Sequence, residues 1–248
     1  MIFVVFLLMV GFTFASKVES NETFWSPMEG DLFEGDIKLV PGQIDFERNA
    51  VLDRSSRWPQ NTIYYKIDSV FSSAQREVIL QAMEEYHKHT CIKFVERSNE
   101  ENYIFIHSSA GCWSHVGKVG GSQEFSLQIP ACINKGIIMH EMMHTIGFWH
   151  EQSRADRDHY VNIHWDNIRA HQKHNFNKYT LFEVDHLEET YDYKSIMHYH
   201  AWAFALDFNK PTLSSKSPSV SLNDLGVAVR LEQFTDGDKR KINKYYEC

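Results

Sequence analysis

The chain has 248 residues, 43% of them hydrophobic and 23% charged, which is enough for a buried core and excludes a disordered or fibrous polymer. A formal net charge of -8 leaves no basic field to attract nucleic acid. Four cysteines are too few for a disulfide mini-scaffold but suit two staples in a secreted enzyme, and fourteen histidines are a supply that metal chemistry can use.

Taken in chain order, the apolar run from Ile2 to Phe14 comes first. It is shorter than the ~20 apolar residues a bilayer span needs. Thr13 and Ala15 are the small residues of a signal-peptidase site before Ser16, so residues 1–15 are expected to be a signal peptide. The protein should be secreted, without a membrane anchor. From Ser16 to Arg48 three basic residues face eight acidic ones. Pro27, Gly30, Gly35, Pro41 and Gly42 break any helix there, and Asn21-Glu22-Thr23 is a glycosylation sequon at Asn21.

From Asn49 onward the pattern is that of a folded domain. Ile63 to Ile67, Cys91 to Val95 and Tyr103 to His107 hold β-branched and aromatic residues in short runs and read as strands. Ser72 with Gln75 makes a capping box, and Ala74, Val78, Ile79, Ala82, Met83 and Tyr86 keep helical spacing behind it. A second helix is expected over Ile137 to Ile146 and a last one over Asp236 to Tyr246, capped by Thr235. The span between them has weak periodicity and reads as irregular.

The chemistry is carried by His140-Glu141-Met142-Met143-His144, continued by Gly147 and His150. Histidines four apart share one helix face, so both imidazoles reach one ion. Glu141 lies beside that ion without being a ligand. Gly147 can turn the chain in the left-handed conformation, which lets His150 return as a third nitrogen. Three imidazoles hold zinc and leave one position open, the pattern of a catalytic site. In shuffled sequences of this composition the whole pattern recurs in roughly one case in 6,000, so chance is a poor explanation.

These residues resemble the astacin family of zinc peptidases, a branch of the metzincins. Residues His140 through Asp158 repeat the family pattern HExxHxxGFxHExxRxDRD, and Ser195-Ile196-Met197-His198-Tyr199 resembles its Met-turn. The resemblance covers Asn49 to Cys248. It implies an α+β fold of two lobes about a cleft. A twisted mixed sheet with two helices would form the N-terminal lobe, and an irregular C-terminal lobe would end in a helix. A single-domain form is expected: signal peptide 1–15, propeptide 16–48 and peptidase domain 49–248.

The resemblance also implies roles. His140, His144 and His150 would bind one zinc ion per chain, with Glu141 as general base for a water attacking the peptide carbonyl and Tyr199 stabilising the transition state. Met197 would form a floor beneath the metal. Phe33-Glu34-Gly35-Asp36-Ile37 resembles the FxGD segment of astacin propeptides, in which Asp36 would fill the open zinc position. Cleavage after Arg48 by a trypsin-like protease would free Asn49 as a new N-terminus, its ammonium paired with Glu151. Four cysteines allow three pairings; the resemblance selects Cys91–Cys248 and Cys112–Cys132. The expected partners are extended peptides and the activating protease, and the expected state is a monomer. His87, His89, His159, His164, His171, His174 and His186 have no spacing that closes a second metal site. A silent homologue acting as a binding protein would have lost a ligand or the base, and every such position is filled. The substrate is not legible from the sequence.

Overall fold

The structure is a computed structural model that describes residues 32–40, 54–180 and 185–248. The signal peptide, Asn21, Arg48 and Asn49 lie outside the described residues.

Five strands form one sheet: β1 (Thr62–Ile67), β2 (Lys93–Glu96), β3 (Tyr103–His107), β4 (Cys112–Ser114) and β5 (Ser122–Leu127), in the order β2-β1-β3-β5-β4. The first four in that order run parallel, while β4 is antiparallel to β5 and is the strand at one edge. The mixed sheet expected from the resemblance is therefore present. Two of its strands were not legible in the sequence: β4 has three residues, and β5 (SQEFSL) lacks the β-branched run that marks a strand.

Helix α1 (Ser73–His89) starts where the capping box predicts, with the Ser72 backbone N–H donating to Gln75 Oε1 at 2.8 Å. Its buried residues Ile79, Ala82, Met83 and Tyr86 recur at three- and four-residue intervals, the stripe of a helix lying on a core. Helix α2 (Lys135–Thr145) starts two residues earlier than expected because Asn134 caps it, accepting from the Ile137 N–H at 3.1 Å. From Gly136 to Thr145 every residue is buried, as in a helix at the centre of a domain. Tyr86 links the two helices by donating its hydroxyl to Met139 O at 2.6 Å.

The C-terminal part is irregular, as expected: short 3-10 turns, a small antiparallel pair of β6 (Val161–Ile163) and β7 (Leu213–Ser215), α3 (Val227–Leu231) and the closing α4 (Asp236–Tyr246). Hydrophobic residues form two clusters. One joins the sheet to α1, α2 and α4; the other gathers Val161, Phe176, Tyr199, Phe204, Leu213 and Leu225. Ile196 and Met197 belong to the first and Tyr199 to the second, so the Met-turn is where the chain crosses between them. Both disulfides form as the resemblance implies, Cys91–Cys248 and Cys112–Cys132. The shorter loop contributes on the order of 3 kcal/mol in the chain-entropy account.

Gly136 is the closest backbone approach around α2. A Cβ there would lie 1.9 Å from the carbonyl oxygen of Val229 on α3, and backbone cannot swing aside. Gly136→Ala is expected to cost about 3 kcal/mol by overpacking, lowering Tm by roughly 6–12 °C in a calorimetric scan. A Tm within a degree of wild type would show that α2 and α3 do not pack this closely.

Candidate active site

Helix α2 carries His140 and His144 one turn apart, and the chain then turns at Gly147 with φ of 107°, a value that L side chains resist. That turn returns His150 to the same point. The three rings lie 4.8–5.2 Å apart by centroid. Their Nε2 atoms face inward because each Nδ1 is engaged. His140 Nδ1 meets Ile196 O at 2.6 Å, His144 Nδ1 meets Phe148 O at 2.7 Å, and His150 Nδ1 meets Glu34 Oε2 at 2.6 Å. An acceptor on one ring nitrogen sets the tautomer and points the other at a metal.

Asp36 completes the group. Its carboxylate lies 3.2 Å from His140 Nε2, 3.1 Å from His150 Nε2 and 3.5 Å from His144 Nε2. All four ligand atoms fall within 4.8 Å of one another and every residue is buried. Asp36 Oδ1 and His144 Nε2 have no hydrogen-bond partner among the described residues. Three imidazoles, a carboxylate and orphaned inward-facing atoms fit one zinc ion.

Glu141 is fully buried, and neither carboxylate oxygen has a hydrogen-bond partner among the described residues. Burial, with the Asp36 charge as the lesser cause, pushes its carboxyl well above the ordinary range. Burial also works against ionisation of Asp36, but the His150 charge and the hydrogen bonds from His140 and His150 prevail and hold that carboxyl well below its usual range. Their surroundings thus push the two carboxyls in opposite directions.

The segment around Asp36 is held by more than its aspartate. Glu34, not anticipated from the sequence, accepts from Ser153 Oγ at 2.5 Å as well as meeting His150, and its carbonyl oxygen accepts the Tyr199 hydroxyl at 2.5 Å. The signal available was its place between the Phe and Gly of the FxGD stretch. Tyr199 is buried, its ring 4.7 Å from that of His150.

Two buried networks fix the Met-turn. Asp238 of α4 accepts from Ser195 Oγ at 2.6 Å, from the Ile196 N–H at 3.0 Å and from the Thr235 N–H at 3.0 Å. Glu151 is buried rather than solvated. Lys241 and Arg154 pair with its carboxylate, the Asp192 N–H donates to it at 2.9 Å, and its own N–H donates to Met197 O at 2.8 Å. His198 is buried with Nε2 2.7 Å from the Tyr191 hydroxyl, and burial pushes its ring down to about 4, so it supports the turn as a neutral group. Among the remaining histidines, His87 accepts the Phe94 N–H, His164 meets Ser214, and His89 and His186 lie beside Glu85 and Asp156.

Because Ile196 O is the acceptor that orients His140, Asp238 acts on the metal group at one remove. Asp238→Ala strands two buried donors and a part-buried one and is expected to cost about 2–4 kcal/mol. Zinc affinity should fall by roughly 10-fold or more in chelator competition. An unchanged affinity would show that the turn holds its place without Asp238.

Comparisons with known proteins agree with this geometry. A family model described as Astacin, a peptidase family, matches residues 50–247. Zinc metalloproteinase nas-4 of Caenorhabditis elegans is 44% identical over 239 residues, which is 95% of this chain and 74% of the relative. Meprin A subunit beta of Rattus norvegicus is 38% identical over 259 residues, covering 98% of this chain but only 35% of the longer relative. Among solved structures, high choriolytic enzyme 1, a hatching enzyme zinc-protease from Oryzias latipes, superposes with a TM-score of 0.73 at 37% identity, covering 79% of this chain and 96% of its own. With the histidine motif, the metal group and these matches in agreement, the chain belongs to the astacin family and is a zinc metalloendopeptidase.

Proposed function

We propose that this chain is the secreted, latent precursor of an endopeptidase, with residues 1–15 as signal peptide, 16–48 as propeptide and 49–248 as the enzyme. The observation that carries this reading is the Asp36 carboxylate lying among the three histidine Nε2 atoms. A segment whose carboxylate lies where the three histidines converge, and that ties down Tyr199, would keep both from a substrate. No helix among the described residues is long and apolar enough to cross a membrane.

His140, His144 and His150 would hold the zinc. When bound there, zinc supplies Lewis-acid chemistry that makes water nucleophilic near neutral pH and polarises a carbonyl. The chain's own residues do the rest. Glu141, unpartnered and buried, would take the proton from the attacking water and pass it to the leaving amine. Burial is the main cause that raises its carboxyl; departure of Asp36 would remove the lesser one, its negative charge, which favours the ionised base. The Tyr199 hydroxyl, released from Glu34, would donate to the oxyanion as it develops. Met197, buried at the turn, would keep the floor of the site rigid.

Processing after Arg48 by a trypsin-like protease would release this segment. A cavity of about 30 Å³ beside Glu151, lined by His150, Arg154, His186 and Lys241 among others, would receive the Asn49 ammonium. Substrates would be extended peptides.

Activity on a generic protein substrate is expected to appear after trypsin treatment and to vanish with a zinc chelator. Glu141→Ala should lower kcat by roughly 10²- to 10⁴-fold. Asp36→Ala in the intact precursor should raise unprocessed activity by about tenfold or more, since losing even about 1.4 kcal/mol of blocking contact has that effect. An intact Asp36→Ala chain as silent as wild type would overturn the switch.

A further inference from the structure

The segment that covers the metal group also lies along the open edge of the sheet. The Ser114 N–H donates to Asp36 O at 3.0 Å, and the Lys38 N–H donates to Ser114 O at 2.9 Å, so Ile37 bridges Ser114 on β4. Two residues beyond Asp36, the Lys38 side chain reaches over the outer face of the sheet. Its ammonium pairs with Glu124 and sits 4.6 Å from the centroid of the Trp113 ring.

That arrangement is built by the sheet and not by the segment. Trp113 on β4 stands opposite Ser126 on β5, and Glu124 is two residues from Ser126, so both side chains emerge on one face. His107 on β3 is also opposite Ser126, and its ring lies edge-on to Trp113 at 5.6 Å. Trp113 Nε1 donates to Ala110 O at 3.1 Å, which fixes the indole plane. The Lys38 hydrogen bond is the main reason the Glu124 carboxyl lies below its ordinary range, with His107 and His115 as lesser causes. A fixed aromatic face beside an ionised carboxylate is a receptor for an organic cation.

We infer that Trp113 and Glu124 form a subsite for a lysine or arginine side chain of the peptide substrate, which Lys38 fills in the precursor. This rests on the proposal that residues 16–48 are removed on activation, for then both receptor residues stay with the enzyme while their cation departs. The same β4 edge that holds Ser114 against the propeptide backbone then offers its N–H and C=O to another extended chain, whose side chain at that register meets Trp113 and Glu124. Glu124 and Lys38 are each about half exposed, so the subsite grades substrates rather than excluding them.

The test uses the full chain, loaded with zinc and processed by trypsin, on fluorogenic peptides in which Lys, Ala or Glu is placed at each position around the scissile bond. One position should favour Lys over Ala by about tenfold in kcat/KM, the combined effect of a partly exposed ion pair and a cation–π contact. At that position the Lys-to-Ala ratio should fall toward one in Glu124→Gln and the preference should turn acidic in Glu124→Lys, while ratios elsewhere stay put. Cleavage with no basic preference at any position, or a preference untouched by both variants, overturns the subsite and leaves the peptidase reading standing. Absence of any cleavage by the processed wild type overturns that reading instead. In that event binding of a synthetic 32–40 peptide still decides the subsite. Weaker binding of its Lys38→Ala form, with the difference abolished in Glu124→Gln, supports it, and equal binding of the two peptides overturns it.

Discussion

Three imidazoles turn their Nε2 atoms to one point here because each ring is held by its other nitrogen. Here the holders are Ile196 O, Phe148 O and the Glu34 carboxylate, at 2.6–2.7 Å. Two of them are backbone atoms whose places are set by the turn at Gly147 and by the Met-turn, and the third belongs to the segment that carries Asp36. Much of the remaining structure serves to keep those acceptors in position.

The Met-turn shows how. It leaves one hydrophobic cluster at Met197 and enters the other at Tyr199, and it makes that passage pinned from both sides. Asp238, at the N-terminus of α4, takes the Ser195 hydroxyl and the Ile196 N–H. Glu151, next to a histidine of the metal group, binds Lys241 of the same helix and donates its N–H to Met197 O. Buried charges of this kind are costly unless fully paired. Their pairing couples the last helix, the Met-turn and the third histidine, and the Cys91–Cys248 disulfide ties the chain just past that helix to the connection between α1 and β2.

Residues 32–40 borrow the same features. Asp36 meets the inward nitrogens, Glu34 meets the outward nitrogen of His150 and the hydroxyl of Tyr199, and Lys38 reaches the outer face of the sheet. The bond between β4 and this segment uses the one strand edge that sheet order leaves open next to the metal group. A latent state held at three separate places, as proposed, would be released together when the segment is cut from the domain.

The sequence alone determined the metal chemistry, because helical spacing puts His140 and His144 on one face whatever surrounds them, and a glycine at 147 permits the return of His150. It also determined α1 and α4, whose capping boxes at Ser72–Gln75 and Thr235–Asp238 are local signals that the structure keeps. It did not reveal β4 and β5, since three residues and a polar run become strands only through pairing with distant neighbours. Nor did it reveal the support that Glu34 gives His150, Asp238 gives Ile196 and Lys241 gives Glu151, pairs 116, 42 and 90 residues apart. Local propensity reads contacts within a few residues, but the burial that turns a lysine, an aspartate or a glutamate into a fixed support exists only once the chain has closed on itself.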